Sequence, residues 1–398
     1  MILTAVSGCG NRWSDAFLVY RSNGQDLAKS TPVATATPRS VVSVRPSARP
    51  ETIQSTGASP LPEAATVSSY LSNAGKSAEI RLYRSYGSSS QVLIRGRVME
   101  PEKTAAVNAD DSTLTNVIRN VDNLSVDEIP GLKVDLTLQG KTVRLVSDHE
   151  GMLLVETSLF GALQPGWHTL QAQIVPGQKY WSPIAKTQII LHDEQIQSLG
   201  FVSDIDDTIK VSDVTNKLQA LKRLLSKNSK TAEMIPGTAT LYQILEQHDH
   251  QADGDFHYLS GSPLNMASSI YDFLDSNGFP KGSVDLKKWG FDKGDDNPIQ
   301  QQDYKQNKLR TLFKTYPQRV FILFGDSGEK DPEIYRQIAS EFPGRVKGIF
   351  INHVTDDPPT ATRYQGIYLT QNTAEAASFL QSAGLISVEE LNQVKQNS

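Results

Sequence analysis

The sequence predicts an α/β fold, in which a parallel sheet with helices on both faces follows a domain built from β-strands alone. Two changes of pattern carry this prediction. From about residue 78 to 191, short runs of alternating apolar and polar residues are separated by turn residues, as in a β-sandwich. After about residue 198, short apolar strands alternate with helical segments, which is typical of a parallel sheet.

The size and composition of the chain limit what it can be. Its 398 residues suit two domains plus tails, and no apolar run approaches the ~20 residues that cross a bilayer. The net charge of −5 argues against a broad electrostatic interaction with nucleic acid. With Cys9 as the one cysteine, there is no intrachain disulfide and no cysteine-based zinc site. The sequence does not indicate an oligomeric state.

Residues 1–77 are predicted to be a disordered tail and linker, because the stretch 30–69 is rich in Ser, Thr and Pro. Near its start, Val6-Ser7-Gly8-Cys9 resembles a bacterial lipobox, in which the cysteine is lipidated. Only Met1 to Val6 precede the motif, with no Lys or Arg, whereas a signal needs a basic start and an apolar stretch of about 7–15 residues. Two readings stay open: a lipid-anchored form through Cys9, or a chance match. The expected location is cytoplasmic or membrane-associated.

Residues 78–195 are predicted to form the β-sandwich domain. The segment 112–120 is an exception and is expected to be a short helix or an insertion. The predicted strands are 79–83, 92–98, 132–138, 151–156, 167–175 and 186–191.

Residues 196–398 are predicted to form the parallel α/β domain, with strands at 200–203, 256–259, 319–324 and 346–351 and a final helical stretch at 373–395. The first three strands end in polar residues, namely Asp204, Ser260 and Asp326. Because open α/β sheets bind ligands at the carboxyl ends of their strands, we expect these three side chains to lie together.

The first of these strand ends has the residues for phosphoryl transfer. Asp204 is expected to be the nucleophile that forms an aspartyl-phosphate. Asp206, two residues further on, is expected to protonate the leaving oxygen and then to activate water. Thr208 is assigned to substrate binding. Taken alone, this Asp- and Thr-rich segment is equally typical of a turn or a helix N-cap.

The other strand ends supply the remaining ligands. Ser260 and Gly261 are expected to bind a phosphoryl oxygen, although an ordinary strand-to-helix turn has the same composition. Carboxylates packed this closely require a cation, and Mg²⁺ prefers such oxygen ligands. Asp204, Asp206, Asp326 and Asp331 are the expected metal ligands. Asp331 also fits a helix N-cap, since Pro332 follows it.

A helical segment at 307–313 contains the expected countercharge to the nucleophile and phosphate. Lys308 is assigned to this role, and Lys305, one turn away, is its rival. Because most lysines on helices are simply solvated, the assignment depends on the neighbouring motifs.

The order of these motifs resembles the haloacid dehalogenase superfamily of phosphohydrolases: strand-Asp-x-Asp-x-Thr, strand-Ser, helix-Lys, and strand-Gly-Asp-x-x-x-x-Asp. Within that superfamily the chain resembles a bacterial member of the actin-patch-protein type of phosphatidate phosphatases. The similarity covers roughly residues 200–354, and its most specific segments are 201–209, 258–263 and 325–335.

The resemblance implies a haloacid dehalogenase-like Rossmannoid sheet, a Mg²⁺ cofactor, and hydrolysis of phosphatidate to diacylglycerol and phosphate at a membrane surface. Two alternatives are a phosphatase of the same mechanism acting on a soluble phosphate ester, and a lipid- or protein-binding adaptor that uses the β-domain. Two departures bear on the substrate: members often have His where this chain has Asn307, and Arg where it reads Asn352-His353.

Basic and aromatic residues between the second and third motifs suggest a contact with anionic lipid, although nearby acids favour a lid or a solvated loop equally. The residues are Lys281, Lys287, Lys288, Lys293, Trp289 and Phe291.

Overall fold

A computed structural model describes residues 75–101, 127–211, 233–247, 256–287 and 301–398. The predictions made for the tail and Cys9, for the segment 112–120 and for Lys288, Lys293, Trp289 and Phe291 lie outside these residues. Within the described ranges, no helix combines the length and apolar character needed to span a membrane.

Within the described residues, the amino-terminal part contains ten strands. All six predicted strands are present, and the four that the sequence did not indicate are short or lie at a sheet edge. The strands are β1 (Lys76–Ser77), β2 (Glu79–Leu82), β3 (Ser85–Ser88), β4 (Val92–Met99), β5 (Lys133–Leu138), β6 (Lys141–Val146), β7 (Met152–Thr157), β8 (Gly166–Ile174), β9 (Tyr180–Trp181) and β10 (Ala185–His192).

Eight of these strands are linked by hydrogen bonds into one mixed sheet, in the order β2-β4-β3-β10-β8-β5-β6, with β7 also paired to β4. β1 and β9 form a separate two-stranded sheet. Neighbouring strands in the large sheet are antiparallel apart from β3 and β10, which are parallel. Alternate residues, such as Val134, Leu136 and Leu138 of β5, are fully buried and build one apolar core.

The carboxyl-terminal part alternates strands with helices. Its strands are β11 (Leu199–Ser203), β12 (Phe256–Pro263), β13 (Gly282–Lys287), β14 (Val320–Asp326), β15 (Val346–Asn352) and β16 (Tyr368–Thr370). Its helices are α1 (Thr238–Gln247), α2 (Ala267–Ser276), α3 (Gln301–Thr315), α4 (Asp331–Glu341), α5 (Thr373–Ser382) and α6 (Val388–Gln396).

The six strands form one parallel sheet in the order β13-β12-β11-β14-β15-β16. Phe201 packs in the core with α1, α2, α5 and α6, whereas the next residue, Val202, packs with α3 and α4. Helices therefore cover both faces, as predicted for a sheet whose central strands are almost wholly apolar. β11 lies between β12 and β14, where the chain changes direction across the sheet. That change of direction creates a cleft.

The last helical stretch is two helices instead of one. Gly384 follows α5 in the left-handed conformation, with φ of 75°, and ends the helix. Ser387 then accepts from the backbone N–H of Glu390, whose carboxylate accepts from the Ser387 N–H, so a capping box starts α6. The apolar spacing through 373–395 concealed this break.

Three arginines of the first sheet contact the second part of the chain. Arg84 bonds Asp275 at 2.5 Å, Arg95 donates to the carbonyl of Leu286 at 3.0 Å, and Arg97 donates to Asn265 at 2.7 Å. Apolar side chains of both parts also share one core, which includes Tyr86, Leu93, Ile190, Tyr316 and Phe321. The two sheets are therefore packed together. The predicted limits of the three regions, at residues 77/78 and 195/196, stay predictions.

Candidate active site

Asp204 lies at the carboxyl end of the central strand β11. Its backbone N–H donates to the carbonyl of Phe324 at 2.9 Å, which continues the pairing with β14 by one residue. Its side chain is buried. The strand therefore fixes the backbone of Asp204, and Asp326, at the end of the neighbouring strand β14, lies beside its carboxylate.

A tight turn follows Asp204 and is held at several points. Asp207 adopts a left-handed conformation, with φ of 57°, which Asp tolerates better than most residues. Asn352 of β15 donates to the carbonyl of Asp207 at 2.9 Å, and the N–H of Asp207 donates to the carbonyl of Lys210 at 2.8 Å. Asn352 thus supports the loop, a role that the sequence did not indicate.

Three of the predicted carboxylates meet at the sheet edge. Asp204, Asp326 and Asp331 each place an oxygen within 4.8 Å of the others, and all three are buried. Gly325 allows this approach, because a Cβ at that position would lie 2.5 Å from Oδ2 of Asp331. Asp331 is the first residue of α4, and its carboxylate points into the cluster, so the N-cap alternative is wrong.

The countercharge at the cluster is Lys305, and the assignment of Lys308 is corrected. Lys305 Nζ donates to Asp204 Oδ1 at 2.7 Å and to Asp331 Oδ1 at 2.7 Å. Lys308 instead pairs with Asp285 at 3.3 Å. Two helical residues three positions apart point only about 60° apart around the helix axis, so the spacing does not decide between the two lysines, and the contacts assign the cluster to Lys305. The helix begins at Gln301, six residues before the predicted segment, and this extension includes Lys305.

Glu329 is a further acid at this lysine that the sequence analysis did not assign. Its carboxylate lies 2.8 Å from Lys305 Nζ and is 32% exposed. It lies in the same loop as Asp326 and Asp331, and only the spacing of that loop could have indicated it.

Four carboxylates around one ammonium leave an excess of negative charge in a buried place. Burial raises the pKa of Asp204 well above its usual value, and Lys305 offsets this only in part. Burial, with the charges of Asp331 and Glu329, likewise raises the pKa of Asp326, and burial raises that of Asp331 to about 6. For Lys305, burial lowers the pKa, but the nearby carboxylates raise it well above normal.

The donor set fits a hard divalent cation. Asp326 Oδ1 accepts from the backbone N–H groups of Gly328 at 2.6 Å and Glu329 at 3.1 Å. Its other oxygen, Oδ2, is buried and has no hydrogen-bond partner. A buried carboxylate oxygen without a partner is costly, and a bound cation would satisfy it. Oxygen ligands of this kind suit Mg²⁺.

Asp206 lies apart from the three buried carboxylates. Its side chain is 29% exposed and pairs with Lys210 at 3.1 Å. Its Oδ2 accepts from the hydroxyls of Ser262 at 3.1 Å and Ser260 at 3.3 Å. The prediction that its carboxylate is a metal ligand together with Asp204, Asp326 and Asp331 is therefore corrected, because it is not a member of that cluster.

The predicted phosphoryl-binding residues line the same strand ends. Thr208 donates from Oγ1 to Asp204 Oδ2 at 3.2 Å. Ser260 is buried within β12, three residues before the end of the strand, and accepts from the N–H of Ser262 at 3.0 Å. Gly261 lies between them, where the pairing of β12 with β13 shifts register. All three lie close to Asp204 or Asp206.

The expected lipid contact is not supported at Lys287, which is 1% exposed at the end of β13. Lys281 lies over the ring of Trp167, 5.8 Å from its centroid. Of the two lysines that the structure describes in that segment, Lys287 is therefore buried, whereas Lys281 is exposed.

The fold and site together define an α/β protein with a carboxylate cluster at the topological switch point of a parallel sheet. Residues 199–353 match the model of the catalytic domain of phosphatidate phosphatase APP1. That stretch contains Asp204, Lys305 and Asp326, and it leaves out the whole of the first sheet.

Two curated yeast proteins are similar to a part of the chain. Phosphatidate phosphatase APP1 of Saccharomyces cerevisiae is 33% identical over 164 residues, which are 40% of this chain and 27% of that protein. Uncharacterized protein C29B5.04c of Schizosaccharomyces pombe is 28% identical over 164 residues, which are 40% of this chain and 26% of the relative. The similarity thus spans about a quarter of each relative's length.

Solved structures give weaker similarities. A carbohydrate acetylesterase from Xanthomonas citri, XAC1771, aligns with a TM-score of 0.26 and 12% identity over 69% of this chain and 59% of its own. A β-glucuronidase from Parabacteroides merdae aligns with a TM-score of 0.24 and 8% identity over 69% and 34% of the two chains. Both TM-scores are too low to indicate a shared overall fold.

Proposed function

We propose that this chain is a Mg²⁺-dependent phosphatidate phosphatase with a haloacid dehalogenase-like fold and a β-sandwich accessory domain. The observation that carries the proposal is the buried cluster of Asp204, Asp326 and Asp331, linked by Lys305 at the ends of adjacent parallel strands. The match of residues 199–353 to a phosphatidate phosphatase catalytic domain supports the substrate.

In the first half of the reaction, a carboxylate oxygen of Asp204 attacks phosphorus and the bond from phosphorus to the ester oxygen breaks. Asp206 gives its proton to the departing alkoxide oxygen, which yields diacylglycerol. Mg²⁺ held by Asp204, Asp326 and Asp331 would neutralise the charge of the phosphoryl oxygens.

In the second half, Asp206 accepts a proton from water, which attacks phosphorus and releases phosphate and the Asp204 carboxylate. Lys305 restrains Asp204 in both halves, and Ser260 and Thr208 donate to phosphoryl oxygens. The proposed roles of nucleophile and of general acid and base match the two environments. Asp204, the nucleophile, is buried among acids and Lys305, whereas Asp206, the acid and base, is half-buried among hydroxyls and Lys210.

The proposal is tested by measuring phosphate release with and without Mg²⁺, from phosphatidate in mixed micelles and from a panel of soluble phosphate esters. We expect Mg²⁺-dependent release from phosphatidate, and its loss in Asp204→Asn and Asp206→Asn. The matched control is Asp135→Asn, which should leave activity unchanged. Asp135 lies on β5, and its carboxylate pairs with Arg144 of β6.

The other outcomes distinguish the alternatives. Activity on soluble esters alone would point to a soluble substrate of the same mechanism. Binding to phosphatidate vesicles with no hydrolysis of any ester would point to an adaptor. Full activity in both active-site variants would contradict the mechanism.

A further inference from the structure

The Asp206 carboxylate is held at both of its oxygens, which is unusual for a half-exposed side chain. Lys210 Nζ lies 3.1 Å from Oδ1, and the hydroxyls of Ser262 and Ser260 donate to Oδ2 at 3.1 Å and 3.3 Å. Each of these residues is anchored by its own backbone. The orientation of the carboxylate is therefore set by its surroundings.

Lys210 is fixed by the segment that follows the turn. Its backbone bridges to that of Met234, and the flanking pairs run from Val211 N–H to the Glu233 carbonyl at 2.9 Å and from Ile235 N–H to the Ile209 carbonyl at 3.0 Å. Ile209, beside Lys210, is fully buried. The lysine side chain therefore extends toward Asp206 from a rigid base.

Ser262 is fixed on the opposite side of Asp206. Its N–H donates to Ser260 Oγ at 3.0 Å, within the register shift of β12 against β13. Of the two serines, Ser260 is the one assigned to the phosphoryl group, and its bond to Asp206 is the longer. When substrate engages Ser260, Ser262 and Lys210 remain to hold the acid.

We propose that Lys210 and Ser262 are positioning residues that orient Asp206 for proton transfer to the leaving oxygen, an inference that rests on the proposed phosphatase function. A general acid must come within about 2.6–3.2 Å of the oxygen that it protonates. A misplacement of about 1 Å can cost roughly a hundredfold in rate. Neither residue touches the reacting atoms, and both act through Asp206.

The leaving group provides the test. An alkoxide such as that of diacylglycerol is a poor leaving group and needs the proton from Asp206. A p-nitrophenolate is a good one and needs it much less. Lys210→Met and Ser262→Ala are assayed with Mg²⁺ on dioctanoyl phosphatidate and on p-nitrophenyl phosphate. Lys210→Arg tests conservative rescue, and Lys314→Met, at an exposed position in the last turn of α3, is the matched control.

We expect Lys210→Met to lower kcat on phosphatidate by about thirtyfold and on p-nitrophenyl phosphate by less than about threefold. Ser262→Ala should show the same split with a smaller loss. Lys210→Arg should keep at least about a third of kcat, since it keeps a donor to Oδ1. Thermal unfolding midpoints show whether each variant is folded.

The contrary results are specific. Equal losses on both esters in a folded variant, or no loss on phosphatidate, contradict the positioning role while leaving the phosphatase function in place. The same conclusion follows if Lys210→Arg is as impaired on phosphatidate as Lys210→Met. An unaltered protein that hydrolyses neither ester contradicts the phosphatase function itself, and the positioning role with it.

Discussion

Two lysines one turn apart on α3 lie in opposite electrostatic surroundings. Lys305 is fully buried and bonds three carboxylates, those of Asp204, Glu329 and Asp331. Lys308 is 20% exposed and shares one carboxylate, Asp285, with Arg95 of the first sheet. Around Lys305, carboxylates outnumber cations. Around Lys308, two cations share one carboxylate.

This difference separates a site for chemistry from a structural contact. An excess of buried negative charge is stable only with an added cation or proton, so the surroundings of Lys305 suit the proposed Mg²⁺. At Lys308 the single acid lies between two cations contributed by different parts of the chain. Burial by itself raises the pKa of Asp285, but Lys308 and Arg95 hold that pKa below its usual value. Asp285 is therefore charged and links the two sheets.

The largest expected effect is on catalysis, at Lys305. Lys305→Met removes the cation that restrains the proposed nucleophile, and we expect kcat to fall by about a thousandfold or more. In Lys308→Met, kcat should fall by less than about tenfold, because the charge of Lys308 contributes to the contact between the two sheets. Phosphate release by the two purified variants measures the comparison. Equal losses would mean that the two lysines are not functionally distinct.

A smaller effect, on stability, is expected at Asp285. Asp285→Asn leaves Arg95 and Lys308 close together without their shared acid, and we expect the free energy of unfolding to fall by about 3 kcal/mol. Urea unfolding monitored by tryptophan fluorescence measures this change. The matched control is Asp135→Asn, which breaks an exposed pair and should cost less than about 1 kcal/mol. If Asp285→Asn lowers the free energy of unfolding no more than the control does, the contact has no structural role.

The smallest expected effect depends on pH and concerns His257, a buried residue whose pKa is influenced by Asp285. Burial lowers the pKa of His257 to about 3, although the charge of Asp285 opposes this. The unfolded chain, with a pKa of about 6.5, binds the proton more readily, so stability is lost as pH falls from about 6.5 toward 3.

At pH 5 the contribution of His257 amounts to about 2 kcal/mol. Urea unfolding of the unaltered protein and of His257→Gln, compared at pH 7.5 and pH 5, measures it. The variant should lose less stability on acidification by about this amount. Equal pH dependence in the two proteins would mean that His257 binds a proton as readily in the folded protein as in the unfolded chain.

The parallel sheet was the most predictable part of the molecule. The strands that lead to Asp204, Ser260 and Asp326 begin as short apolar runs followed by polar residues, and this pattern follows directly from burial on both faces. β13 and β16 were missed. The buried strand Gly282–Lys287 includes polar and charged residues such as Asp285 and Lys287, whose burial depends on partners that are distant in sequence.

The site was predictable where a residue directly follows a strand, and less so elsewhere. Lys305 was named only as the rival of Lys308, because helical spacing places both lysines near one face and cannot say which one meets Asp204. The separation of Asp206 from the acid cluster is likewise set by Lys210 and Ser262. Lys210 is only four residues from Asp206 in the sequence, whereas the contact of Ser262 with Asp206 depends on the register of β12.

The packing of the two sheets has a consequence for how such a chain can change over time. Tyr86 of β3 contacts the rings of both His257 and Tyr316, and Tyr83 lies in the same core cluster as Phe201 of the central strand. A fragment that starts at residue 196 would expose these apolar faces to water. Exchange of the first sheet for an unrelated module would therefore require matching substitutions in β12 and at Tyr316, the residue after α3, so we expect the two parts to be inherited as one unit.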